Sequence, residues 1–245
     1  MIENQGTLAS NFDAIARTAA DTFGELPALP GIFISFEGGD GCGKTTQSQL
    51  LGQWLGKALN REVILTREPG GTNLGQELRA LVLHGEDMGP RAEALIYAAD
   101  RSHHVQTKVH PALARGAVVI TDRYIDSSVA YQSGGRELTS NEVRSLSLWA
   151  TGGLMPELTV LLDLDPAQGA ARFTNEPDRL ERAGAQFHAR TRQTYLDIAA
   201  QEPQRWIVLD GQGSIDDIAR TIRERVAERL GQLHPDLAPL LAGAL

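Results

Sequence analysis

The stretch Gly38-Gly39-Asp40-Gly41-Cys42-Gly43-Lys44-Thr45 fits G-x-x-x-x-G-K-[ST] without a mismatch, and Thr46 follows it. Glycines at these places let successive backbone N–H groups close around phosphate oxygens, and the positive end of a following helix adds to the attraction. Lys44 is expected to reach the β- and γ-phosphates of a nucleoside triphosphate, and the Thr45 hydroxyl to ligand Mg²⁺. The chain has three lysines among 23 basic residues, and one of them stands here, where a slim ammonium fits between phosphates. A glycine-rich turn that binds nothing is the bland alternative. It leaves unexplained why apolar strand, loop, Lys-Thr and helix occur in this order. Cys42, the sole cysteine, reads as a small residue that fits the loop rather than as a redox control.

A second group of chemistry-bearing residues is Asp122-Arg123-Tyr124, which follows the apolar Val118–Ile120. Downstream of a phosphate loop, a carboxylate at a strand end holds Mg²⁺ directly or through water; without the loop it would be a charged surface turn. Arg123 then falls beside the transferred phosphates, where a planar fork can bind an oxyanion bidentately. Ser128 and Gln132 are four apart, as are Tyr97 and Arg101, so each pair shares a face if helical. Hydroxyl and amide suit a neutral base or sugar, and equally a solvated face. Tyrosine and guanidinium could sandwich a base and reach its edge, although spacing alone favours a core tyrosine and a surface arginine.

A particular architecture is needed to bring these segments together. Apolar runs at about 32–37, Val63–Thr66, Ala117–Thr121, Leu158–Leu164 and Trp206–Leu209 alternate with helical patterns. The helices are expected at Lys44–Leu59, Leu74–Leu83 and Arg91–Arg115, then near 141–151, 166–173, 178–201 and 215–231. This α/β order predicts a five-stranded parallel sheet with helices on both faces. Ligands of such sheets bind at the carboxyl ends of the strands, which puts the Gly38–Thr45 loop, the 67–72 loop and the exit of the third strand on one edge. Residues 1–31 read as an N-terminal extension closed by Pro27-Ala28-Leu29-Pro30-Gly31, and 232–245 as a C-terminal tail.

Bulk properties narrow the function classes. A chain of 245 residues suits one domain with a full core. Its formal charge of −8 argues against a general nucleic-acid surface, so anionic ligands must be met by local arginines. One cysteine excludes an internal disulfide framework and suits a reducing compartment. No apolar run approaches the ~18 residues that span a bilayer, and no signal-peptide pattern opens the chain, so a cytoplasmic protein without a membrane partner is expected.

Taken together, the segments resemble the bacterial thymidylate kinases, a family of P-loop nucleoside monophosphate kinases. The matching stretches are Phe-Glu-Gly-x-Asp-Gly-x-Gly-Lys-Thr-Thr-Gln at 36–47, Thr-Arg-Glu-Pro-Gly-Gly-Thr at 66–72 and Glu93-Ala94-Leu95 leading to Ala98-Ala99-Asp100-Arg101. Asp122 through Gln132, Leu161 through Pro166, and Asp178-Arg179-Leu180-Glu181 with Phe187-His188 complete them. The resemblance implies a P-loop kinase domain over about 32–231 that transfers phosphate from ATP to dTMP with Mg²⁺, as a homodimer. It implies ATP on Gly38 through Thr46, thymine stacked on Tyr97 and read by Arg101, and Ser128 and Gln132 lining the nucleoside pocket. Arg123 is implied on the acceptor phosphate, with Arg67, Glu68 and Arg79 bordering the acceptor phosphate and metal region. Thr45, Asp122 and Glu68 are then the expected metal ligands, and Asp40 lies near the acceptor sugar and phosphate.

Two departures stand out. Tyr97 replaces the family's usual phenylalanine and brings a hydroxyl that needs a partner. Members with glycine at the place of Gly41 usually carry basic residues in the lid, yet the lid here, about 171–182, supplies Arg172 and Arg179, with Arg182 just beyond. One of the first two is expected to close over ATP, joining Lys44, Arg123 and Asp40 as the catalytic set. A kinase for another monophosphate or a nucleoside is the nearest alternative. A switch or motor ATPase is the more distant one, and the chain has neither Asn-Lys-x-Asp nor Leu-Ser-Gly-Gly-Gln.

Overall fold

The computed structural model describes residues 30–133, 138–172 and 178–245. Most of the expected N-terminal extension, and the lid residues 173–177, lie outside the described residues.

Strand β1 (Ile32–Glu37) is buried along its whole length because it runs through the centre of the sheet. With β2 (Val63–Arg67), β3 (Val118–Asp122), β4 (Leu158–Asp163) and β5 (Trp206–Asp210) it forms a parallel sheet of order β2-β3-β1-β4-β5. Side chains alternate between faces along each strand. Ile32, Ile34 and Phe36 therefore pack with helices α1 (Lys44–Leu59) and α9 (Ile215–Leu233) and with the short α10 (Ala238–Ala242), through Leu51, Leu55, Ile222, Val226 and Leu241. Phe33 turns the other way. On that face lie α3 (Pro90–His104), α4 (His110–Ala114), α5 (Ile125–Ser128), α6 (Ser140–Thr151) and α8 (Ala185–Gln201).

Register decides where the loops leave. Phe36 and Arg67 both pair with Asp122, so the first three strands end in one row. Backbone bonds carry that alignment one residue further: the Arg123 N–H donates to Phe36 O and the Glu68 N–H to Asp122 O, each at 2.9 Å. The phosphate loop, Glu68 and Arg123 thus share the edge that the strand rule predicts.

Two expected helices differ from the periodicity that suggested them. The run Arg91–Arg115 is α3, then a π turn (Val105–Val109), then α4. Pro111 has no N–H with which to continue the ladder, and just before it the His110 N–H reaches back to Val105 O. The helix expected over 178–201 begins only at Ala185, because Gly184 sits at φ +88° after a single 3₁₀ turn, Glu181–Ala183. Helix α2 (Asn73–His84) follows β2, and α7 (Pro166–Ala170) follows β4. Among the described residues no helix is long and apolar enough to cross a membrane.

Candidate active site

The loop after β1 needs its glycines at specific places. Gly38 has φ +132°, and a Cβ there would lie 2.5 Å from Leu162 O; Gly41 has φ +74°, and a Cβ there would lie 2.4 Å from Gly169 O. The close approach of α7 therefore leaves no space for an arginine at 41. Helix α1 opens without a side-chain cap or an acid in its first turn, so no side chain of its own competes with an anion for its leading N–H groups. Lys44 folds back across the loop, donating to Gly39 O at 2.8 Å and Gly38 O at 3.1 Å, with Cys42 Sγ 3.7 Å away.

A cavity of about 680 Å³ runs along this loop, lined by Lys44, Thr45 and Asp122 and by Arg67, Arg79 and Arg123. The Thr45 hydroxyl donates to Asp122 Oδ2 at 2.8 Å. Two adjacent hard oxygens suit Mg²⁺, which keeps waters and phosphate oxygens in its remaining positions. Among the described residues no group of three or more His, Cys, Asp or Glu side chains is arranged to enclose a metal. Glu68 lines the same cavity. Its carboxylate is committed to α3, accepting from Arg101 Nε at 2.7 Å and bonding His104 Nδ1 at 2.8 Å.

Three guanidiniums meet in this cavity. Burial lowers the Arg79 pKa from its ordinary value, and Arg67 and Arg123 add like-charge repulsion. Arg79 is steadied by Pro69 O at 3.1 Å. Arg123, at φ +71°, is one of two non-glycine residues with positive φ among the described residues and lies over the Tyr131 ring at 4.8 Å. Its Nη2 donates to Asp40 and to the Tyr131 hydroxyl. Burial alone would raise the Asp40 carboxyl, but Arg123 and Lys44 outweigh it and hold Asp40 well below the usual carboxylate range.

Beside the large cavity, and sharing Asp40, Glu68, Arg79 and Arg123 with it, lies a slot lined by Tyr97, Arg101, Ser128 and Gln132. The structure thus gathers both helical pairs into one place. Arg101 is not a surface residue: it is 2% exposed. Four of its five N–H groups are used, on Glu68, Ser147, Tyr124 O and Ser128, which leaves one on Nη1 for a ligand acceptor. Burial, then Glu93, pushes the Tyr97 phenol well up, so it stays protonated. At about 60 Å³ the slot is below the ~300 Å³ of ordinary ligand pockets.

The two lid arginines separate. Arg172 is exposed and donates to Gly41 O at 3.0 Å and Gly211 O at 3.4 Å, bridging the phosphate loop and the exit of β5. Arg179 instead is buried, with Nη2 on Glu93 at 2.5 Å and Nε on Val82 O at 2.8 Å. This position fits a clamp on α2 and α3 rather than a mobile lid. Arg179→Ala is expected to cost ~3–5 kcal/mol of stability in denaturant unfolding, since Glu93 loses a buried partner.

Sequence reading assigned nothing to Glu37, Ser127, Tyr131 and Tyr195, which cluster around Arg123. Glu37 directly precedes the loop and Tyr131 lies in the run after Arg123; Tyr195 on α8 gave no local signal. Burial, then Asp126 on α5, raises the Glu37 pKa to about 7. The folded state therefore holds this proton more tightly than the unfolded chain. The stability so gained is complete below pH 4.5 and is lost as pH rises through about 7. Unfolding measured across that range is expected to show the advantage of the native chain over Glu37→Gln shrinking with pH; a constant or growing advantage would contradict the raised pKa.

Phosphate loop, strand-end aspartate and arginine cluster on this sheet define a nucleotide kinase of the P-loop class. The family model for thymidylate kinase matches residues 36–222. A thymidylate kinase from Leifsonia xyli subsp. xyli is 57% identical over 205 residues, covering 82% of this chain and 97% of that protein. One from Bifidobacterium longum is 54% identical over 205 residues, covering 82% and 99%. The crystal structure of thymidylate kinase from Ehrlichia chaffeensis aligns with a TM-score of 0.62 at 34% identity, covering 73% of this chain and 92% of that one. The chain belongs to the thymidylate kinase family.

Proposed function

We propose that this protein transfers the γ-phosphoryl group of ATP to dTMP, giving dTDP and ADP. The observation that carries the reading is the meeting of Arg67, Arg79 and Arg123 with the Lys44 loop in one cavity of a chain whose net charge is −8. Like charges brought together at a repulsive cost imply an anionic ligand between them, and a monophosphate placed there faces the loop end-on.

Phosphoryl transfer leaves little covalent work to the protein, so positioning and charge neutralisation dominate. The loop amides and Lys44 hold the ATP phosphates. Thr45 and Asp122 would hold Mg²⁺, which would supply charge neutralisation at the donor phosphates. Arg123, Arg67 and Arg79 hold the acceptor phosphate, while Tyr97 and Arg101 address the base, with Ser128 and Gln132 beside them. An acceptor phosphate is already largely ionised at neutral pH, with a second pKa of ~6, so no general base is assigned. Arg172 is the lid residue that lies over the donor phosphates. Its replacement by alanine is expected to lower turnover by at least ~10²-fold with the unfolding midpoint unchanged.

The domain runs over about 32–231, with residues 1–31 and 232–245 as appendages and the lid at about 171–182. A cytoplasmic homodimer completes the proposal. Leu81, Leu95 and Trp149 are each about half exposed on α2, α3 and α6, and an apolar cleft of about 390 Å³ lies between α3 and α6. Light scattering is expected to give twice the mass of the chain. The activity is tested by ADP release with dTMP, dUMP, CMP, AMP and thymidine as acceptors. The expected result is the largest kcat/KM for dTMP. ATP hydrolysis indifferent to every monophosphate would overturn the reading in favour of an ATPase.

A further inference from the structure

Glu37 is the last residue of β1 and is fully buried, and none of the phosphate chemistry above uses it. A carboxylate in such a place is costly unless donors surround it. Three do. Oε1 accepts from the Tyr124 N–H at 2.8 Å, and Oε2 accepts from the Ser127 hydroxyl at 2.5 Å and the Tyr195 hydroxyl at 3.0 Å. These same two hydroxyls accept from Arg123 Nη1, at 3.2 and 3.3 Å. Glu37 therefore reaches the guanidinium through two hydroxyls that lie 2.8 Å apart, one from α5 and one from α8.

The two edges of the Arg123 fork are held in different ways. Its Nη1 shares two hydrogens among Ser127 of α5, Tyr195 of α8 and Gly38 O of the phosphate loop. Its Nη2 meets Asp40 and Tyr131 on the cavity side, and Nε is left for a further acceptor. An incoming phosphate can exchange with Asp40 at the Nε–Nη2 edge while the opposite edge stays fastened. The backbone is constrained from the same source. The Tyr124 N–H that Glu37 accepts belongs to the peptide leaving Arg123, whose φ of +71° is a costly conformation for a residue with a side chain.

We propose that Glu37 is a positioning residue for phosphoryl transfer, aiming the Arg123 guanidinium at the acceptor phosphate through Ser127 and Tyr195. The inference rests on the assignment of Arg123 to that phosphate. Misplacing a positioning group by ~1 Å can cost ~10²-fold in rate, so the effect is measurable although Glu37 touches no substrate.

The test is steady-state kinetics of Glu37→Gln, Tyr195→Phe and the Ser127→Ala/Tyr195→Phe pair, varying dTMP and ATP separately, with thermal melting alongside. The expected result is a loss of ~10–100-fold in kcat/KM for dTMP in Glu37→Gln and in the pair, with KM for ATP within about two-fold. Adding Glu37→Gln to the pair is expected to cost less than ~3-fold more, since both hydroxyl relays are already gone and the glutamine carbonyl can still accept the Tyr124 N–H. Should Glu37→Gln not fold, Tyr195→Phe, which removes one oxygen and keeps the ring, carries the test with a smaller loss confined to the acceptor. Equal losses toward both nucleotides, unchanged acceptor kinetics in folded variants, or an additive triple variant would overturn the proposal. Arg123→Lys run in parallel separates the two levels: unchanged acceptor kinetics there would remove the assignment of Arg123 itself.

Discussion

Lys44→Ala is expected to lower kcat by at least ~10³-fold, equivalent to ~4 kcal/mol of transition-state stabilisation. Two losses combine. The ammonium that neutralises the donor phosphates disappears, and so do the bonds to Gly38 O and Gly39 O that tie the loop's first turn to the helix. Lys44 is 7% exposed, so water restores neither function at the same place. Fluorescence titration with an ATP analogue, run beside the turnover assay, separates the two losses. Weak binding with a normal melting temperature is expected; turnover within ten-fold of the native chain would show that another cation neutralises the donor.

The second large effect is expected at Arg123. Replacing it by alanine removes the guanidinium that meets Asp40, Tyr131 and the acceptor side of the cavity, and the expected loss in kcat/KM for the acceptor is ~10³-fold or more. Arg123→Lys is expected to recover only part of it, because an ammonium keeps the charge but not the fork. Asp40 complicates the magnitude in a predictable way. Without Arg123 it keeps only Lys44 among its two strongest cationic neighbours, so its carboxyl is expected to rise toward the ordinary range and the acid limb of activity to move up in pH. Acceptor kinetics close to those of the native chain would place the acceptor phosphate elsewhere.

What could be read before folding was local. The glycine spacing of the loop, the alternation of strand and helix, and the strand-end Asp122 follow from contiguous residues, and the sheet edge that unites them follows from a general rule of parallel sheets. Tyr97, Arg101, Ser128 and Gln132 had uncertain meaning as helical pairs, and register brought them together. The unread part consists of long-range pairs. Glu37 finds Tyr195 across 158 positions, and Glu93 takes Arg179 from 86 positions away. No periodicity encodes either contact. The bonds of Glu68 to Arg101 and His104, 33 and 36 positions away, were equally out of reach. Gly41 gained its explanation only from α7, whose Gly169 carbonyl fills the space a side chain would need.

The central claim is that two nucleotides meet end to end at the carboxyl edge of the sheet, one on the glycine loop and one in the arginine cluster. A crystal structure with dTMP and a non-hydrolysable ATP analogue tests it most directly. The predicted result is a dTMP phosphate within ~3.2 Å of Arg123, its base between Tyr97 and Arg101, and the terminal phosphorus of the analogue in line with the acceptor oxygen. An analogue bound on Lys44 with dTMP absent from the Arg123 side, at concentrations that saturate turnover, would contradict the account.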